Sequence, residues 1–190
     1  MSAAIEAAVR GGVDWLQVRE RDMEDRALLE LADTVGSAAR RAAEGRDTPL
    51  QIVVNRRADI ALAIRADGVH LGFDAMSIPD ARRTLGDAAL IGLSAHAAEE
   101  IRPARGLSYA HLAPIFDPLS KASSRPALGI GTLREAASRD VPVIAQGGID
   151  SDNASAAIAA GAAGVAVTGA ILMADDPAAA ARALRSALDR

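Results

Sequence analysis

The strongest constraint on the fold lies in residues 141–171, VPVIAQGGIDSDNASAAIAAGAAGVAVTGAI. In order, this reads as an apolar strand, a Gly-Gly loop, an Ala-rich helix, a Gly-punctuated turn and a second apolar strand. A loop of small polar residues follows at Thr168 and Gly169. Loops without bulky side chains let backbone N–H groups approach an anion, and the last two βα loops of a parallel barrel commonly hold a phosphate this way. Three similar joints, Gly11-Gly12-Val13, Ala66-Asp67-Gly68-Val69 and Ala162-Ala163-Gly164-Val165, extend the pattern along the chain. Such recurrence suits a repeated βα unit, with glycine expected in a left-handed cap before each strand.

Seven βα units can be placed after an opening helix at residues 3–10. Strands are expected at 13–18, 50–54, 68–71, 89–94 and 109–113, with two more inside the opening stretch. Helices are expected at 23–43, 79–85, 96–102, 131–138 and 177–188, and a short one follows Arg57. In the second helix Leu28, Leu29, Leu31 and Ala32 are the expected core positions. Strand–helix alternation defines a parallel α/β protein. A chain that is half hydrophobic but only 2% aromatic must build its core from Ala, Leu, Ile and Val, which suits buried parallel strands under Ala-rich helices. With 190 residues the expectation is one domain, a (βα)8 TIM-type barrel lacking its first strand. That strand would be missing through a shortened chain or a start codon set too late. An exposed edge left by its absence would favour a homodimer.

Composition excludes several functions. A net charge of −4 argues against a general nucleic-acid binder, though not against a local cationic pocket. With no cysteine, thiolate metal sites and a Cys nucleophile are ruled out. No apolar run approaches the roughly 20 residues of a membrane span, and the N-terminus is too weakly apolar for a signal peptide, so a cytoplasmic protein is expected.

Polar residues cluster where strands end: Gln17, Arg19 and Arg21; Asn55 and Arg56; Ser94 and His96; Gly147 and Gly148; Thr168 and Gly169. The 114–129 stretch, PIFDPLSKASSRPALG, adds Ser120 and Lys121 on a loop long enough to suggest a role. If the barrel closes, these groups face one cavity, and several cations beside Gly-rich loops suit a substrate with more than one phosphate. Each also has an ordinary reading. Arg19 and Arg21 can pair with Glu20 or Asp22, Asn55 can be a turn residue, and Lys121 can be a solvated lysine. The glycines can serve packing alone, and His96 can pack at a helix start. His70 reads as a satisfied core or interface histidine and His111 as structural.

The segments QVRER (17–21), VVNRRADIALAIRADGVHLG (53–72), IGLSAH (91–96), APIFDPLSK (113–121), VPVIAQGGI and GVAVTGAI resemble thiamine phosphate synthase and its TenI-type relatives, in order and over nearly the whole chain. The resemblance implies a (βα)8 barrel in thiamine biosynthesis, a transferase joining hydroxymethylpyrimidine diphosphate to hydroxyethylthiazole phosphate. It implies that Gln17, Arg19 and Arg21 bind the diphosphate side, that Asn55 holds the pyrimidine, and that Ser94, Ser120 and Lys121 lie near the diphosphate. Gly147-Gly148 and Thr168-Gly169 would cradle the thiazole phosphate. Arg19, Lys121 and Ser94 are the residues expected to carry catalysis, with Arg21, Arg56 and His96 among the binding groups.

Two positions depart from the family pattern. Its Mg²⁺ is carried by two aspartates, and those places are taken here by Arg56 and Ala75. Mg²⁺ requires hard oxygen ligands, and Asp74, one position away, supplies one at best. Characterised tautomerases of the TenI type use a histidine where this chain has Pro114. The expectation is therefore a synthase with a degraded magnesium site. Its alternatives are a thiazole tautomerase relying on His96 or a non-catalytic binder of thiazole phosphate or thiamine phosphate.

Overall fold

The computed structural model describes residues 2–20, 22–117 and 126–189. Seven parallel strands form one sheet in sequential order: β1 (Trp15–Val18), β2 (Gln51–Asn55), β3 (Gly68–Leu71), β4 (Leu90–Ala95), β5 (Tyr109–Leu112), β6 (Val143–Gln146) and β7 (Gly164–Ala166). All six neighbouring pairs are parallel. The helices are α1 (Ser2–Arg10), α2 (Asp25–Ala42), α3 (Ala58–Ala63), α4 (Ile78–Leu85), α5 (Gly129–Ala137), α6 (Ala154–Ala159), α7 (Gly169–Leu172) and α8 (Pro177–Leu188).

The sheet curls strongly. Strands lie about 4.8 Å apart, so β1 and β5 would be separated by roughly 19 Å in a flat sheet. Instead the Trp15 and Tyr109 rings meet edge-on with centroids 4.9 Å apart. Among the described residues β1 and β7 do not pair with each other, so the curled sheet keeps two edges. The outward-facing residues Val18, Ile52 and Val54 pack on Leu28, Ala32 and Val35 of α2, and Ala110, Leu112, Val143 and Ala145 form the core under the later helices. The intervening positions, among them Gln17, Asn55, His70, Ser94, Tyr109 and His111, face the concave side, as the two-residue strand period requires. Leu28 and Ala32 are buried as expected, but Leu29 lies on the exposed side of α2.

Several local expectations need correction. The helix expected at 96–102 is a single 3₁₀ turn at Ala98–Glu100. There the His96 N–H donates to Glu100 Oε2 at 2.7 Å, and Pro103 disfavours helical backbone at Arg102. Thr168-Gly169 is the start of α7 and not an open loop, with Leu172 N donating to the Thr168 carbonyl at 2.9 Å. The left-handed residues at the three joints are Gly12, Arg65 and Gly161, not Gly68 or Gly164. Gly68 serves close approach, since a Cβ there would collide with the Leu90 carbonyl oxygen.

Candidate functional site

Parallel strands deliver their C-terminal ends to one rim, where barrel enzymes place their active sites. Gln17 lies within β1 and Arg19 just beyond it; Asn55 ends β2 and Arg56 follows; Ser94 lies near the end of β4 and His96 just after it. Gly147 and Gly148 follow β6, and Thr168 lies two residues past β7. The expected residues therefore gather at the strand ends. Arg21, Ser120 and Lys121 lie outside the described residues.

At the β1 corner the Gln17 amide Nε2 is buried with no partner among the described residues. A buried donor without an acceptor is costly, so this amide is suited to a ligand oxygen. The Arg19 cation is felt by the inward-facing histidines, contributing to the lowered pKa of both His70 and His111.

At the β2–β3 corner Arg56 adopts a left-handed backbone (φ 66°), and its guanidinium holds Asp74 with two contacts of 2.8 Å. The neighbouring Arg57 is engaged by carboxylates at the starts of α2 and α3. It binds Asp59 and Asp25, whose hydrogen bonds hold its guanidinium firmly charged, and its own hydrogen bond lowers the Asp59 pKa.

The β6 loop is tied to the start of the long 114–129 segment. Ile115 N donates to the Gln146 carbonyl at 2.9 Å and Phe116 N to the Gly147 carbonyl at 3.1 Å. Gly147 and Gly148 both have positive φ, 93° and 61°. A Cβ on Gly147 would lie 2.7 Å from Pro114 Cα, and one on Gly148 would strike the Asp117 carbonyl oxygen. The packing reading of these glycines thus has direct support, and it is compatible with a role at a phosphate. Asn153, which sequence reasoning passed over, braces the loop by donating to the Gly148 carbonyl at 2.8 Å.

Sequence reasoning also missed the polar floor under the rim. His70 Nδ1 lies 3.1 Å from Tyr109 Oη and Nε2 lies 2.9 Å from Ser94 Oγ. The His70 and His111 rings are 4.3 Å apart, and His111 Nδ1 lies 3.1 Å from Gln146 Oε1. Burial is the main cause that pushes the pKa of His70 down to about 3 and that of His111 to about 4. The signal that could have found this floor is the period-two spacing of His70, Ser94, Tyr109 and His111 on strands otherwise apolar. His96, by contrast, sits exposed with Nδ1 2.8 Å from the Ala113 carbonyl, linking the ends of β4 and β5.

Among the described residues the donor set does not fit a magnesium ion. The carboxylate nearest the expected place, Asp74, is held on both oxygens by Arg56, and a guanidinium there repels a divalent cation.

A curled sheet of seven parallel strands with helices packed outside it defines a TIM-like α/β fold, with cations and Gly-rich loops at its C-terminal rim. Residues 1–171 match the family profile described as thiamine monophosphate synthase, and the chain belongs to that family. It is 40% identical over 189 residues to the thiamine-phosphate synthase of Moorella thermoacetica, covering 98% of this chain and 87% of that protein. To the thiamine-phosphate synthase of Chloroflexus aurantiacus it is 40% identical over 187 residues, covering 97% and 83% respectively. Its fold matches the thiamine phosphate pyrophosphorylase of Pyrococcus furiosus with a TM-score of 0.83 at 30% identity, over 99% of this chain and 89% of that one.

Proposed function

We propose that this protein acts in thiamine biosynthesis as a thiamine phosphate synthase, joining hydroxymethylpyrimidine diphosphate to hydroxyethylthiazole phosphate. The bond between the pyrimidine methylene and the diphosphate oxygen breaks, and its electron pair leaves with diphosphate. The thiazole nitrogen lone pair then forms the new C–N bond to the methylene cation. Stabilising the departing charge is the main demand on the enzyme. The observation that carries the reading is the convergence of Gln17, Arg19, Asn55, Arg56 and Ser94 at the ends of β1, β2 and β4, with the Gln17 amide left as a buried donor with no partner among the described residues.

In this assignment Arg19 and Arg56 receive the diphosphate together with Ser94, and Lys121, Arg21 and Ser120 complete that side. Asn55 holds the pyrimidine, and the loops at Gly147-Gly148 and Thr168-Gly169 hold the thiazole phosphate. His96, with one ring nitrogen engaged at Ala113, borders the rim as a binding group and not as a base. The fixed charge of Arg56 takes over part of the neutralisation that a metal would supply, so no step is routed through Mg²⁺. The test is formation of fluorescent thiochrome from both substrates after oxidation, with added Mg²⁺ or with EDTA. Product in both conditions is expected. Loss of all product in EDTA would overturn the charge-replacement account, and absence of product in either condition would overturn the synthase assignment.

The seam between β1 and β7 is read as the place of the barrel's remaining strand, and its two unpaired edges favour a homodimer. Light scattering that gives a monomer mass at high protein concentration would sink the dimer. No described helix is long and apolar enough to cross a membrane, and the assigned substrates are small phosphorylated metabolites; a cytoplasmic location fits both.

A further inference from the structure

Beneath the rim, the His70 imidazole joins two hydroxyl groups, Tyr109 Oη on Nδ1 and Ser94 Oγ on Nε2. A neutral imidazole donates from one nitrogen and accepts at the other, so this column runs in one of two directions. His70 is neutral at physiological pH, because burial, with smaller contributions from neighbouring His111 and Arg19, lowers its pKa. Tyr109 keeps its proton, because burial raises its pKa.

Had Nδ1–H donated to Tyr109, the phenol hydrogen would need a second acceptor. Among the described residues Tyr109 Oη has no hydrogen-bond partner other than His70. Its ring is enclosed by the Gly92 backbone and by the rings of Trp15, His70 and His111. Leaving a buried O–H without an acceptor is the costlier arrangement. The favoured direction is therefore Tyr109 O–H to Nδ1, then Nε2–H to Ser94 Oγ. Ser94 accepts from below, and its own proton is available to an acceptor at the rim. In the reverse direction Ser94 would donate to His70 and could only turn a lone pair toward an anion.

We propose that His70 and Tyr109 are positioning residues that hold the Ser94 hydroxyl as a hydrogen-bond donor to an anionic phosphate oxygen at the rim, which rests on the assignment of that rim as a diphosphate site. Two residues buried in the strands thereby set the polarity of a third that meets the ligand.

Two measurements test this. The first is ¹⁵N NMR of the wild-type protein at neutral pH, where the His70 ring is expected as the Nε2–H tautomer; the Nδ1–H tautomer would overturn the proposal. The second is calorimetry with inorganic diphosphate on the wild type, Ser94→Ala, Tyr109→Phe and the double variant. Ser94→Ala is expected to weaken binding about tenfold or more, as for a lost hydrogen bond to a charged acceptor. Tyr109→Phe is expected to weaken it severalfold, because the imidazole is then free to reverse. The double variant should bind no worse than Ser94→Ala alone. Additive losses would show that Tyr109 acts only through packing and would overturn the proposal. Product formation is measured separately: a wild type that makes no thiamine phosphate sinks the functional assignment, while the coupling in diphosphate affinity still decides the positioning role.

Discussion

At the scale of single residues, the Arg56–Asp74 pair is the contact with which a diphosphate bound as proposed would compete. The two side chains are 40% and 66% exposed, so the pair itself adds at most about 1 kcal/mol to stability. Its larger effect is competition, because Asp74 occupies the guanidinium that a phosphate would use. Asp74→Asn is expected to tighten inorganic diphosphate binding severalfold, with the gain shrinking at high salt. Calorimetry at two ionic strengths checks this; weaker binding would mean that Asp74 orients Arg56 and does not compete for it. Gly92 is a second decisive position. A Cβ there would run into the Tyr109 phenol ring, so Gly92→Ala forces the ring out of its place between β3 and β4. Overpacking of this kind typically costs about 1–3 kcal/mol, readable as a lower urea midpoint. An unchanged midpoint would show that the ring relaxes without loss.

Elements were legible where their signals are local. The α8 helix begins at Pro177 as the sequence indicates, because Asp176 caps it, accepting from Ala179 N at 2.9 Å, and proline suits the first turn. Asp176→Ala should lower stability by about 1 kcal/mol. A denaturation curve matching the wild type would remove the cap from the account. The residue range of β3 could likewise be read from its short apolar run between turn signals. What could not be read depends on partners distant in sequence. The apparent helix at 96–102 yields to a side-chain contact from Glu100 and to the tie between His96 and the carbonyl of Ala113. Ser94 was expected at the rim, but His70, Tyr109 and His111 each looked ordinary, because their meeting with it depends on register and curl across β3, β4 and β5. The rim was legible because every parallel strand ends on the same side. The floor was not, because no single strand contains it.

For the whole molecule, two buried neutral histidines give stability a defined pH dependence. In the folded state His70 and His111 stay unprotonated down to about pH 3 and 4, whereas in the unfolded chain they bind protons below about 6.5. Between roughly pH 4 and 6.5 the unfolded state therefore binds more protons, and stability rises with pH there, by up to about 1.4 kcal/mol per pH unit for each histidine. Urea midpoints at pH 5.0 and 7.5 should differ markedly, and His111→Gln should reduce the difference. Equal midpoints in the wild type would sink the argument.

The unpaired edges of β1 and β7 have a mechanical consequence. A fully closed barrel must break backbone hydrogen bonds to widen, but here no such bonds join the first and last strands among the described residues. The sheet can therefore breathe like a split ring, with its compliance concentrated at the slit and its stiffness opposite, at β3 and β4. Gln17 and Thr168 stand on the two lips of that slit, so their separation is the dimension of the rim that changes most readily. Amide hydrogen exchange should follow this gradient, with Gly164–Ala166 exchanging well before the central strand Leu90–Ala95.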